Sequence, residues 1–166
     1  MRTGQGKPFQ VYTPFSRAAF AAEDPGKLVS APRKLHAPSH WPSTEKLADW
    51  ELTPTKPDWA VGFRDVWTPG EDAARNRLNN FLRSSVVEYH DHRNRPDLAG
   101  TSRLSPHLHH GEISPRQCWQ RARAMAEAHP DRGKGVEIFL KELLWREFAY
   151  HQLVLHPKMP EEPVRE

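Results

Sequence analysis

The sequence has a single cysteine and no long hydrophobic run, and each shortage excludes a class of protein. The lone Cys118 excludes an internal disulfide bond and fits a reducing compartment. No apolar stretch approaches the roughly 20 residues that cross a membrane, and residues 1–7 do not lead into the apolar core of a signal peptide. We therefore expect a soluble, cytoplasmic protein in which Cys118 is a small buried apolar group rather than a reactive thiol.

Hydrophobic residues are also scarce, and prolines outnumber glycines. Hydrophobic residues make up 37% of the 166 residues, and 16 prolines stand against 9 glycines. Prolines are concentrated in the first 70 residues, so a packed core must come mainly from the second half. The net charge of +3 and the pI near 9.2 favour an anionic partner, although solubility explains a small basic excess equally well.

The N-terminal part predicts little regular structure. Alternation over residues 7–13 predicts a short strand that Pro14 ends or confines to an edge, and residues 15–22 predict a short helix that stops at Asp24-Pro25-Gly26. From Lys27 to about Trp67 the chain is irregular and proline-rich, yet it contains Trp41, Trp50 and Trp59. Disordered segments are poor in aromatic residues, so we expect an extended segment that attaches to a larger body through its tryptophans.

The second half predicts three helices. The first begins at Thr68-Pro69-Gly70-Glu71, with Thr68 as the cap, and runs to about Val87. The second begins at Ser114-Pro115 and runs to about His129. The third covers Val136 to about Leu155 and ends at His156-Pro157, before a polar tail. We therefore predict a mainly α fold in which a long irregular segment precedes the helices.

The segment from Gly100 to Ser114 has the densest group of unusual residues. Thr101, Ser102, Arg103 and Ser105 bring three hydroxyls and a guanidinium to a predicted helix start, which would suit a phosphate. Alternatively, Thr101 or Ser105 simply caps the helix. His107, His109 and His110 do not share one helical face and have no paired ligands nearby, so packing or surface roles are favoured over a metal site.

The third helix has an apolar stripe and a second, mixed face. Leu140, Leu143, Leu144 and Phe148 form the stripe, whereas Glu142, Trp145, Arg146 and Ala149 share the other face. Glu142 and Arg146 could form a surface ion pair, or they could flank a ring-stacking site with Trp145. Upstream, Arg93 and Arg95 could contact a nucleic-acid backbone or be solvated.

In this order, the segments resemble the photolyase/cryptochrome family. That family's flavin-binding domain combines a Trp-Pro-Gly-Glu helix start, a tyrosine, Gly-Thr-Ser-Arg-Leu-Ser-Pro, Gly-Glu-Ile-Ser-Pro-Arg and Glu-Leu-x-Trp-Arg-Glu-Phe. The corresponding segments here are Trp67–Glu71, Tyr89, Gly100–Pro106, Gly111–Arg116 and Glu142–Phe148. Val11–Phe15 resembles the end of the family's antenna domain. The resemblance, which fits best with a class I cyclobutane-dimer photolyase, covers nearly the whole chain.

The resemblance implies three regions and a set of site residues. Residues 1–22 would be the end of the α/β antenna domain, 23–66 an interdomain connector, and 67–166 the N-terminal half of the helical FAD-binding domain. Implied FAD contacts are Tyr89, Thr101, Ser102, Arg103, Leu104, Ser105, Phe139 and Arg146, with Phe139 standing where several photolyases have tryptophan. Glu142 would hydrogen-bond a flipped pyrimidine dimer and Trp145 would stack on it. Implied DNA contacts are Arg93, Glu142, Leu143, Leu144, Trp145, Arg146, Glu147, Phe148 and Ala149.

The implied activity is light-driven repair of cyclobutane pyrimidine dimers in DNA by electron transfer from reduced FAD. A cryptochrome-type photoreceptor, which binds FAD without repair, is the alternative. The partner would be UV-damaged DNA, and the protein would be a monomer without a metal. Full-length members of the family also have an antenna domain, which would bind a folate or deazaflavin chromophore, and a C-terminal half of the FAD-binding domain. The resemblance does not include these two parts. We therefore expect these 166 residues alone to bind FAD weakly or not at all.

Overall fold

The computed structural model describes residues 1–22 and 25–164, and this part of the chain is helical and contains no strand. Two single-turn 3-10 helices, Leu47–Trp50 and Pro130–Arg132, accompany the α-helices. No helix within the described ranges is long and apolar enough to cross a membrane. The α-helices are α1 (Tyr12–Ala21), α2 (Val61–Arg64), α3 (Glu71–Arg83), α4 (Tyr89–His92), α5 (Ser105–His109), α6 (Pro115–Ala128) and α7 (Gly133–Leu155).

The predicted N-terminal strand is wrong, because Tyr12 already begins helix α1. Pro14 lies in the first turn of this helix, where its missing N–H has no partner to lose. Phe15 is buried at 4% exposure, and the Tyr12 ring packs against α7. Tertiary packing therefore decides the conformation of residues 12–14. Helix α1 ends at Ala21, and Asp24 of the predicted stop signal lies outside the described residues.

The three predicted C-terminal helices are present, with shifted ends. Helix α6 begins as predicted, since Ser114 accepts from the Gln117 N–H and the Gln117 side chain accepts from the Ser114 N–H. Helix α3 is capped not by Thr68 but by Gly70, whose φ of 107° favours glycine and whose N–H donates to Glu112. Helix α7 begins three residues before the predicted Val136, because it continues directly from the 3-10 turn.

The core lies between α3, α6 and α7. Helix α7 packs on α6, α1 and α4, and its Gly135 approaches the Val86 carbonyl so closely that a Cβ would overlap the carbonyl oxygen. Cys118 is fully buried, as expected, and burial raises the pKa of its thiol to about 12. The buried core residues are Ala74, Leu78, Phe81, Leu82, Val86, Tyr89, Leu104, Ile113, Cys118, Ala122, Val136, Phe139, Leu140 and Leu143.

The connector is attached to the helical body near its two ends. Gln120 donates to the Gly26 carbonyl over 2.7 Å, and Gly70 donates to the Glu112 carboxylate over 2.8 Å. Between these points Trp41, Trp50 and Trp59 are 73%, 55% and 69% exposed. The expected attachment through these rings is therefore not made to the described helical body.

Candidate functional site

One cavity of about 660 Å³ brings together the residues expected to bind a phosphate-bearing cofactor. The lining comes from α4, the loop before α5, α5 itself and the middle of α7. Phe139 also packs on Phe81 and Tyr89, so this wall is continuous with the core. Lining residues are Tyr89, Thr101, Ser102, Arg103, Leu104, Ser105, Leu108, His109, Phe139, Glu142, Leu143, Arg146 and Tyr150. All eight residues expected to contact FAD are in this set.

The loop at residues 101–105 presents hydrogen-bonding groups without intrachain partners. Within the described part of the chain, the hydroxyls of Thr101, Ser102 and Ser105 and the backbone N–H groups of 101–105 make no hydrogen bond. The capping alternative is therefore wrong, because Ser105 is the first helical residue and no side chain caps α5. Arg103 has a φ of 50° and Leu104 is right-handed helical, so successive N–H groups can form a concave anion site.

A buried histidine holds this loop on the body of the fold. His107 is 2% exposed, and its Nδ1 lies 2.5 Å from the Glu112 carboxylate, which also accepts from the Gly70 N–H. His109 and His110 are exposed, and their rings meet edge to face with centroids 4.7 Å apart, so His107 has a packing position and the other two have surface positions. The hydrogen bonds from His107 and Gly70 lower the pKa of Glu112.

We predict that Glu112→Gln flattens the acid dependence of stability. A lowered folded-state pKa stabilises the protein above the unfolded carboxyl pKa, roughly 4.3, and this contribution is lost as pH falls through the folded value. The difference in free energy of unfolding between parent and variant should be constant above about pH 5 and shrink below about pH 4. Urea unfolding at a series of pH values measures it. Glu127→Gln, at an exposed glutamate, should give a flat difference, and an equal slope in both variants would contradict the assignment.

Glu142 pairs with Arg93 rather than with Arg146. The Arg93 guanidinium donates to the Glu142 carboxylate across 49 residues of sequence. The Glu142–Arg146 ion pair, one of the two interpretations of this helix face, is therefore not formed between these described residues. Both partners are about one-third exposed, which limits the energy of the pair. Arg146 instead donates to Glu147 and lies over the Tyr150 ring. Arg95, the second candidate for DNA contact, pairs with Asp97.

Trp145 stacks on Tyr12, a residue that the sequence did not identify. The two rings are parallel within 6° and their centroids are 3.6 Å apart, while Trp145 remains 47% exposed. The Tyr12 hydroxyl donates to the Lys141 carbonyl over 2.8 Å. Burial and the nearby Glu142 charge raise the pKa of Tyr12, so the hydroxyl remains a donor at neutral pH.

The residues from Glu142 to Ala149 do not form a single surface. Leu143 and Leu144 are buried at 5% and 8% exposure, and Phe148 packs on Phe15 and Tyr12. Outside these contacts, Trp145 and Glu147 are exposed, and Glu142 and Arg146 are partly exposed. Among the residues expected to contact DNA, the polar and indole side chains of this helix are therefore exposed or partly exposed, whereas Leu143 and Leu144 are buried in the fold.

The geometry defines a class of protein: a helical segment with a cavity lined by unpartnered hydrogen-bonding groups, beside a helix face that exposes an aromatic ring. No family model matches the chain. It is 42% identical over 161 residues to a deoxyribodipyrimidine photo-lyase of Agrobacterium fabrum, covering 97% of this chain and 33% of the relative. It is 36% identical over 170 residues to that of a Synechococcus strain, covering 98% and 34%.

A solved structure shows the same relationship in three dimensions. The crystal structure of a bacterial class III photolyase from Agrobacterium tumefaciens superposes with a TM-score of 0.88 at 42% identity, covering 98% of this chain and 33% of that one. The chain therefore belongs to the DNA photolyase family, and it spans about a third of the length of the curated relatives that it matches. The expected class I type stays a prediction, since this similar structure is described as class III.

Proposed function

We propose that the chain forms the wall of a photolyase that holds the phosphate–ribose part of FAD. The cavity carries this proposal, because eight residues from separate stretches of sequence converge on it. The residues fit the group: unpartnered N–H groups and hydroxyls at 101–105 suit a phosphate, and Arg103 and Arg146 add positive charge. Similarity to photolyases over nearly the whole chain supports the same assignment.

The outer face of α7 would then receive the DNA lesion. A lesion that weakens base pairing costs less to flip out than a normal base, which favours damaged sites. Trp145 would stack on the flipped pyrimidine dimer and Glu142 would hydrogen-bond its polar edge. Arg93 would exchange Glu142 for a DNA phosphate, which leaves the carboxylate free for the lesion. The bound flavin, reduced and excited by blue light, would supply one electron that opens the cyclobutane ring and then returns.

A segment exchange tests this function. In the Agrobacterium fabrum relative, the 161 aligned residues are replaced by those of this chain, giving what we call the exchange protein. We expect it to bind FAD and, under blue light, to restore the thymine absorbance of ultraviolet-irradiated oligothymidylate. Glu142→Gln in the exchange protein should slow repair about a hundredfold, the low end for loss of a charge-stabilising group, because the amide keeps a hydrogen-bonding group in place. The 166-residue chain alone should not retain FAD through gel filtration.

Three outcomes separate the possibilities. Repair by the exchange protein supports the proposal. Stoichiometric FAD binding without any recovery of thymine absorbance would sink the repair function and favour the cryptochrome-type alternative. An exchange protein that folds but binds no FAD would contradict the assignment of the cavity itself.

A further inference from the structure

Only one face of the Trp145 indole is free. The Tyr12 ring covers the other face at van der Waals contact, with centroids 3.6 Å apart and planes 6° from parallel. Phe148 meets both rings edge-on, at centroid distances of 5.9 Å from Tyr12 and 6.0 Å from Trp145. The remaining exposure of Trp145 therefore faces away from Tyr12.

Tyr12 is itself fixed to the helix that carries Trp145. Its hydroxyl donates to the Lys141 carbonyl, one turn before Trp145 on α7. The chain just before Tyr12 is held by α7 as well, because Gln152 donates to the Phe9 carbonyl over 2.9 Å and the His151 ring lies 3.0 Å from the same oxygen. The tyrosine ring and the indole therefore share one rigid support.

An indole on a helix surface has several accessible rotamers, and a stacking platform is useful only when one of them is selected in advance. We propose that Tyr12 is a positioning residue that fixes the Trp145 ring, so that a single indole face is presented for stacking on a flipped base. This inference rests on the proposed function for its ligand. The tyrosine–indole stack itself is a property of the free chain.

Simple core packing is the competing explanation for Tyr12, and a matched pair of substitutions separates the two. Tyr12→Leu removes the stacked ring. Phe20→Leu makes the equivalent aromatic-to-leucine change on the same helix, where Phe20 contacts Trp119 rather than Trp145. Tyr12→Phe keeps the ring and removes only the hydrogen bond to Lys141.

The first experiment uses the 166-residue chain labelled with 5-fluorotryptophan. Trp145→Phe identifies the Trp145 signal in the fluorine NMR spectrum. We expect Tyr12→Leu to move this signal toward the position of a solvated tryptophan, because the ring current of the stacked phenol is lost, while Phe20→Leu and Tyr12→Phe leave it in place. An unmoved Trp145 signal in a folded Tyr12→Leu chain would overturn the inference.

The second experiment uses the exchange protein with FAD and measures the ratio of affinities for an oligothymidylate with one cyclobutane dimer and the same oligomer undamaged. We expect Tyr12→Leu to lower this ratio about tenfold, since stacking of a base on an aromatic side chain contributes roughly that much or more. Phe20→Leu should leave the ratio unchanged. A general folding defect would instead lower both affinities together.

The two experiments fail in different ways. If the exchange protein does not discriminate damaged DNA at all, the proposed function is wrong, and with it the ligand assigned to this platform. If it discriminates, and Trp145→Ala removes the discrimination while Tyr12→Leu does not, only the role of Tyr12 is overturned.

Discussion

Gly135→Ala should destabilise the protein by about 2 kcal/mol, within the range of about 1–3 kcal/mol for overpacked core substitutions. A Cβ at this position would overlap the Val86 carbonyl oxygen and lie 2.8 Å from the carbonyl carbon. Because these atoms belong to the backbone, no side-chain rotation relieves the clash. Alanine gains only about 1 kcal/mol of helix propensity over glycine, so the clash wins. Urea unfolding followed by far-UV circular dichroism measures the loss.

The neighbouring Gly133→Ala is the matched control. Gly133 begins the same helix and has helical backbone angles, and a methyl group added there would meet no other atom within 4 Å. Here alanine should be neutral or stabilising, by about 0.4–1 kcal/mol. If the two alanine variants unfold at the same urea concentration, the close contact of α7 with Val86 is not a determinant of the fold.

The double substitution Thr101→Val/Ser105→Ala should lower the affinity of the exchange protein for FAD by at least about a hundredfold. Each hydroxyl would donate to an anionic group, and a hydrogen bond to a charged partner contributes roughly 1.5–3 kcal/mol. Neither hydroxyl makes a hydrogen bond within the described chain, so their removal should leave the thermal stability of the apoprotein nearly unchanged. FAD fluorescence on titration gives the affinity.

A second double variant, Thr55→Val/Ser43→Ala, makes the same chemical changes at exposed positions of the connector. It should bind FAD as the parent does. Equal affinity in both double variants would mean that the loop hydroxyls do not face the cofactor, even though they line the cavity.

Local sequence signals predicted the helices that are organised locally. The adjacent residues Ser114 and Pro115 were sufficient to place the start of α6, and the reciprocal partner of the cap, Gln117, lies only three residues further along. The helix predicted over residues 15–22 is present as most of α1, but its first turn could not be predicted in this way. The alternation and the proline at residues 12–14 indicate a strand, whereas Tyr12 contacts α7, more than 120 residues away, and begins the helix. The prediction of Thr68 as the cap of α3 was wrong for the same reason, because Gly70 takes that position and its N–H donates to Glu112, 42 residues away.

The site shows the same division. A compact motif revealed the loop at 101–105, since its hydroxyls are adjacent in sequence. The partner of Glu142 was missed because helical spacing indicates Arg146, whereas Arg93 lies at the C-terminal end of α4. Tyr12 carries no motif that points to Trp145. Such pairs arise from the packing of distant segments, which no single window of sequence contains.

The attachment of Tyr12 to Lys141 closes a loop of 129 residues. The entropy cost of closing a flexible loop grows only with the logarithm of its length. Shortening this loop by about 40 residues, the extent of the connector, would therefore change the closure cost by only about 0.3 kcal/mol. The fold constrains the two points at which the connector is attached. Gly26 accepts a hydrogen bond from Gln120 on α6, and Gly70 donates one to Glu112. The length of the connector has little effect on the free energy of folding. Insertions and deletions between these two points should therefore leave the stacking of Tyr12 on Trp145 intact.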